Sequence, residues 1–109
     1  MSIDIDAIGK QMIAAAQGVV KEKWPSTKSY FESESKAYAA RLATIVQLRE
    51  EGLISETRAK QHVAFQTNAY ETVLLAVGGL TQLLIEQALN AAIAVIRDVV
   101  NKAIGFALL

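Results

Sequence analysis

The chain has 109 residues, a length that suits one domain with a single hydrophobic core. Its 11 basic and 11 acidic residues cancel, so no overall field attracts nucleic acid or an anionic membrane. The absence of cysteine excludes disulfides, thiolate metal sites and cysteine nucleophiles. We therefore expect one helical domain spanning 1–109, without a nucleic-acid partner. The absence of cysteine leaves the compartment open, with a reducing cytoplasm as the expected default. The acidic N-terminal segment lacks the positive charge of a secretory signal, so we expect it to belong to the mature protein.

The first predicted helix covers residues 3–23. Ser2 is the predicted N-cap, because a serine side chain accepts hydrogen bonds from the first free amides of a helix. Pro25 disfavours helical geometry in the preceding residue, so we expect the helix to end near Trp24. Apolar side chains recur on one face of this helix, at Ile5, Ile8, Met12 and Ile13.

The second predicted helix begins near Ser29 and Glu32, which have the spacing of a capping box. It ends at Gly52, where glycine can adopt the left-handed conformation that closes a helix. Ser55 then caps the next helix, which predicts an αα-hairpin. The apolar stripe of the second helix consists of Phe31, Tyr38, Leu42, Ile45 and Val46.

The remainder of the chain predicts one long helix, about 56–104. No proline occurs there, and an apolar stripe keeps its helical phase across Gly78 and Gly79. The two glycines cost about 2 kcal/mol relative to alanine in a helix, but a turn normally carries polar residues, and these flanks are apolar. We favour the continuous helix. The alternative is a turn at Gly78-Gly79, which gives a single-chain up-down-up-down four-helix bundle.

Helix lengths then predict the quaternary state. The first two helices, of about 20 to 24 residues, reach roughly 30 to 36 Å, whereas the last reaches roughly 70 to 75 Å. Its second half would lack cover from its own chain, and an exposed apolar strip of that size usually marks an interface. The bundle is therefore predicted to be completed by homo-oligomerisation, with a dimer favoured. The predicted interface consists of Ala76, Gly79, Leu83, Leu84, Leu89, Ala92, Ile96 and Val99.

A metal site is the one chemical hypothesis that the residues support. Glu34, His62 and Gln66 are its candidate ligands, since Glu34 lies at the edge of the second stripe and His62 is the only histidine. Ferritin-like di-metal bundles carry a Glu-x-x-His pair, but Ala59 stands three residues before His62. A solvated histidine is the competing interpretation. We expect no cofactor.

The uncharged stretch 72–85 is too short to span a bilayer. As a helix it covers about 21 Å, against roughly 30 Å of hydrocarbon. No phosphate-binding loop or hydrolase motif occurs either. The sequence therefore favours a non-enzymatic, self-associating structural or interaction module. The alternatives are a metal-carboxylate bundle for metal binding or oxidation, and a protein associated with a membrane surface without a transmembrane span.

Overall fold

A computed structural model describes residues 3–77 and 79–109. Four α-helices account for most of them, and these described residues include no strand, which confirms the all-α prediction. A short 3-10 helix, Lys21–Lys23, connects the first two helices. The helices in chain order are α1 (Ile5–Val20), α2 (Trp24–Glu50), α3 (Glu56–Leu75) and α4 (Gln82–Ile104).

The first three helices run antiparallel to their chain neighbours. Gly9 of α1 lies against Lys36 of α2, so α2 returns along α1. Ser35 of α2 is hydrogen-bonded to Tyr70 of α3, so α3 returns along α2. Each pair joins residues at similar distances from the intervening turn, as a helical hairpin requires.

Helix α4 closes the bundle against α1. It packs extensively on α1 and only sparsely on α3. Beyond its C-terminal end, the Phe106 ring lies 5.9 Å from the ammonium nitrogen of Lys60, near the start of α3. The chain thus forms a single-chain up-down-up-down four-helix bundle, which confirms the alternative architecture.

The favoured prediction of one continuous helix over 56–104 is wrong. Helix α3 ends at Leu75 and α4 begins at Gln82. An unbroken helix would be about 73 Å long, whereas the longest dimension of the molecule is 43 Å. Gly78 lies outside the described residues, but Gly79 adopts φ +88°, in the left-handed region that favours glycine. The Thr81 hydroxyl caps α4 by accepting a hydrogen bond from the Leu84 amide at 3.1 Å.

The chain folds back because its own apolar surface can then be covered. In the connection, Val77 is buried and Leu80 packs against the core, so part of the apolar surface of this turn is removed from solvent. Burying one large aliphatic side chain contributes about 1.5–3 kcal/mol, and folding back buries several side chains of α4 within the chain. The α4 side chains that become buried are Ile85, Ala88, Leu89, Ala92, Ile96 and Val100.

The boundaries of the first hairpin differ from those predicted. Ser2 lies outside the described residues, and the N-cap of α1 is Asp4, whose carboxylate accepts from the Ala7 amide at 3.1 Å. The capping box at Ser29 is wrong, because α2 already begins at Trp24 and Ser29 lies within it. Pro25 fits the first turn of α2, where its missing amide hydrogen has no helical partner to bond. Helix α2 therefore has 27 residues and α1 has 16.

The second hairpin follows the prediction. Gly52 adopts φ +73° after the end of α2, and the Ser55 hydroxyl accepts a hydrogen bond from the Arg58 amide at 3.1 Å. Both features are those expected of a glycine-terminated helix followed by a capped one.

None of the described helices combines the length and apolar character needed to cross a bilayer.

Candidate functional site

A buried polar cluster joins α2 to α3. The hydroxyls of Ser35 and Tyr70 are 2.7 Å apart, and those of Tyr38 and Thr67 are 3.0 Å apart. Ser35, Tyr38 and Tyr70 are all at most 3% exposed. The two tyrosine rings meet edge to face with centroids 6.0 Å apart. Two hydrogen bonds in an apolar seam thus fix how α2 and α3 align.

The environment keeps both tyrosines protonated at neutral pH. Burial raises the pKa of Tyr70 to about 12, and the negative charge of Glu34 adds to the increase while the Ser35 hydrogen bond opposes it. Burial also raises the pKa of Tyr38, against the opposing effect of its hydrogen bond to Thr67. Neither phenol can act as a general base near pH 7. Their hydroxyls hold the helices together.

A small cavity adjoins the cluster and contains two of the predicted metal ligands. Its volume of about 30 Å³ has room for a water molecule, since one water needs at least about 10–15 Å³. Glu34 and Gln66, both half-buried, reach it from opposite helices. The residues lining this cavity are Glu34, Ala37, Tyr38, Gln66, Ala69 and Tyr70.

The third predicted ligand, His62, does not join the other two. It is exposed on α3 and does not line the cavity. Within residues 3–77 and 79–109, no group of three histidine, aspartate or glutamate side chains is placed to hold a metal ion. The structure therefore brings together only the Glu34 and Gln66 part of the predicted site.

The predicted oligomer interface divides into buried and exposed parts. Leu89, Ala92 and Ile96 are at most 5% exposed, because α4 presents them to the core of its own chain. Within one chain they therefore belong to the core, where α4 packs mainly on α1, and their assignment to an interface between copies stays a prediction. Leu84 is half-buried, whereas Val99 is 50% exposed.

The remaining predicted interface residues lie at the α3–α4 end of the bundle. Ala76 and Gly79 are exposed there, and Leu83 is 64% exposed. The sequence prediction did not include Leu75, which is 52% exposed at the end of α3. We call Leu75, Ala76, Gly79 and Leu83 the turn surface. No charged residue occurs in the stretch 72–85 that contains it.

Asn101 is a second residue whose role the sequence did not reveal. Its side-chain oxygen accepts from the amides of Leu108 at 3.0 Å and Leu109 at 2.9 Å. These bonds fold the segment after Gly105 back onto the bundle, where Leu108 is buried. The sequence signal is Gly105, a left-handed C-cap at φ +88° that is followed by apolar residues. A surface depression of about 550 Å³ beside this segment is lined by Asp98, Asn101, Lys102, Gly105 and Phe106.

No protein-family model, curated protein or solved structure matches this chain. A four-helix bundle by itself carries no particular activity, so function must be argued from the surfaces described above.

Proposed function

We propose that the protein is a non-enzymatic helical module that associates with a second copy of itself through the turn surface. The observation that supports this proposal is the exposure of two leucines, Leu75 and Leu83, at one end of the bundle. Exposed apolar clusters on soluble domains commonly mark sites of association.

The surroundings of these leucines favour an apolar partner. The nearest charged residues in the chain are Glu71 and Glu86, on either side of a stretch of 14 uncharged residues. Ala76 and Gly79 carry little or no side chain, so another backbone can approach closely. In a two-fold dimer, each leucine contributes twice, because both copies present the same surface.

The non-enzymatic part of the proposal rests on the polar cluster. Its two tyrosines are at most 3% exposed, and their hydroxyls are hydrogen-bonded to Ser35 and Thr67, so they serve the packing of α2 on α3. We include a cytoplasmic location in the proposal, because a chain without cysteine is suited to a reducing compartment.

The test is the effect of Leu83→Glu on solution mass. Light scattering of the wild-type protein across a concentration series is expected to show a reversible monomer–dimer equilibrium. Leu83→Glu should shift it to monomer, because the dimer would have to bury a carboxylate without a partner. Circular dichroism should show unchanged helix content, since Leu83 is 64% exposed.

Leu53→Glu is the matched control. Leu53 is 66% exposed, but it lies at the opposite end of the bundle, between α2 and α3. This variant should dimerise like the wild type. A wild-type protein that stays monomeric throughout the series, or equal loss of dimer in both variants, would contradict the proposal.

A further inference from the structure

We infer that two copies associate by exchanging α4. In the exchanged dimer, the α3–α4 connection straightens into one helix, and α4 of each copy packs on α1 of the other. This inference rests on the proposed self-association and specifies its geometry.

The first supporting observation is the distribution of contacts made by α4. This helix packs extensively on α1, the element farthest from it in the chain, and only sparsely on α3, to which it is connected. Exchange keeps the whole α1–α4 interface, because the same side chains meet across two copies instead of within one. The sparse α3–α4 contacts are re-formed across copies in the same way, except next to the connection. We call the monomer in which α4 packs on its own chain the closed form. The equilibrium between the closed form and the exchanged dimer is therefore decided mainly at the α3–α4 connection.

The second observation is that the connection suits both forms. The closed form depends on the left-handed Gly79 and on the Thr81 cap. The sequence around them nevertheless keeps a helical apolar period from α3 into α4, which is why it predicts a continuous helix. A short hinge with these two options is a recognised route to domain exchange.

The third observation is what the closed form leaves uncovered. Leu75 and Leu83 face water when the chain turns back. In the exchanged dimer, the two straightened helices cross at the former connection. The small Ala76 and Gly79 then allow the helices to approach closely enough to cover both leucines. The turn surface thereby becomes the new interface of the dimer.

A distance measurement distinguishes exchange from simple docking. The native chain has no cysteine, so Gln61→Cys and Lys102→Cys, both at exposed positions, can each carry one spin label. In the closed form, both labels lie at the same end of a bundle with a 22 × 18 Å cross-section. In the straightened helix, 41 residues separate them by about 60 Å. Labelled protein should be refolded with an excess of unlabelled protein, so that only distances within one chain are recorded.

In the wild-type dimer we expect a population of chains whose two labels are about 60 Å apart. In the monomer we expect only the short label-to-label distance of the closed form. Gly79→Ala should increase the exchanged population about tenfold or more, because alanine is unfavourable at a left-handed φ and favourable in a helix. A Cβ at this position meets no atom within 4 Å, so the added methyl group causes no clash in the closed form.

Gly52→Ala is the matched control. Gly52 also has a positive φ, +73°, and a Cβ there also meets nothing within 4 Å, but it lies between α2 and α3. The same strain at that turn should leave the distance between the two labels unchanged.

The outcomes separate the two proposals. A dimer that gives only the short distance would overturn exchange and leave self-association standing. A protein that is monomeric at every concentration would overturn both. A dimer in which Gly79→Ala folds without enriching the long distance would also overturn exchange, and the wild-type measurement remains decisive if that variant does not fold.

Discussion

At the residue scale, the polar cluster constrains the α2–α3 seam. An apolar seam lets one helix slide along another at little cost, whereas two hydrogen bonds formed inside it are satisfied in a single alignment. Separating Ser35 from Tyr70 would leave both hydroxyls buried and unbonded, at about 1–3 kcal/mol. The cluster therefore selects one register for the hairpin.

Tyr70 also makes stability depend on pH in the alkaline range. Its pKa in the folded protein is about 12, above the ordinary value of 10.0, so folding favours the protonated phenol. The resulting contribution of Tyr70 to the free energy of unfolding is about 2–3 kcal/mol. It is fully present below pH 10 and is lost as the pH rises from 10 towards 12. We expect Tyr70→Phe to be less stable than wild type at pH 8, and the difference to narrow by about 1 kcal/mol at pH 11. Urea unfolding at pH 8 and at pH 11 measures the difference in free energy of unfolding between Tyr70→Phe and the wild type.

Tyr30→Phe is the control for this prediction, because Tyr30 is 48% exposed on α2. Its stability should follow that of the wild type at both pH values. A gap between Tyr70→Phe and wild type that stays constant from pH 8 to pH 11 would refute the assigned role of Tyr70.

The site could be predicted only in part from sequence. Glu34 of α2 and Gln66 of α3 line the same small cavity, whereas their role as metal ligands stays a prediction. His62 lies one helical turn before Gln66, at the flank of the apolar stripe, so its sequence position does not decide whether its side chain lies between the helices or in solvent. In the structure the side chain is exposed to solvent. Ser35 was missed because it is a polar residue on an apolar stripe, and its partner Tyr70 becomes apparent only once the helices are aligned.

At the element scale, the connections decide the topology. Gly52 is followed by the polar cap Ser55, so sequence and structure agree on that turn. Gly79 lies between the apolar residues Val77 and Leu80, and local sequence cannot reveal that Val77 becomes buried and Leu80 packs against the core in the folded chain. The difference between the two turns is therefore a matter of tertiary packing, which outweighs local preference.

The cap at the start of α4 should contribute measurably to stability. Thr81→Ala removes the hydroxyl that accepts from the Leu84 amide, and we expect a loss of about 1 kcal/mol in the free energy of unfolding. Thr44→Ala is the control, because that hydroxyl bonds to the Ala40 carbonyl inside α2 and caps nothing. This control should be neutral or slightly stabilising. Equal losses in both variants on chemical denaturation would argue against a capping role for Thr81.

At the scale of the whole molecule, α4 completes the core that the first three helices leave open. Its buried face lies mainly against α1, so the two ends of the chain sequence meet in one interface. Local patterns cannot predict this pairing, since they specify an apolar stripe but not which element covers it. The same stripe was therefore consistent with cover by a second copy.

Ile96 tests whether the chain covers its own α4. This side chain is 0% exposed within one chain, so Ile96→Ala should lower the free energy of unfolding by about 2–5 kcal/mol through lost burial and a cavity. The loss should be the same at low and high protein concentration, because the cavity forms in every monomer. A residue that is exposed in the monomer and buried only between copies would behave differently: its truncation would weaken the dimer and leave the dilute monomer almost unchanged. Val99→Ala, at a 50% exposed position on the same helix, should cost much less in dilute solution. Chemical denaturation at two protein concentrations distinguishes these cases, and an Ile96→Ala effect seen only in concentrated protein would contradict the burial of this side chain within a single chain.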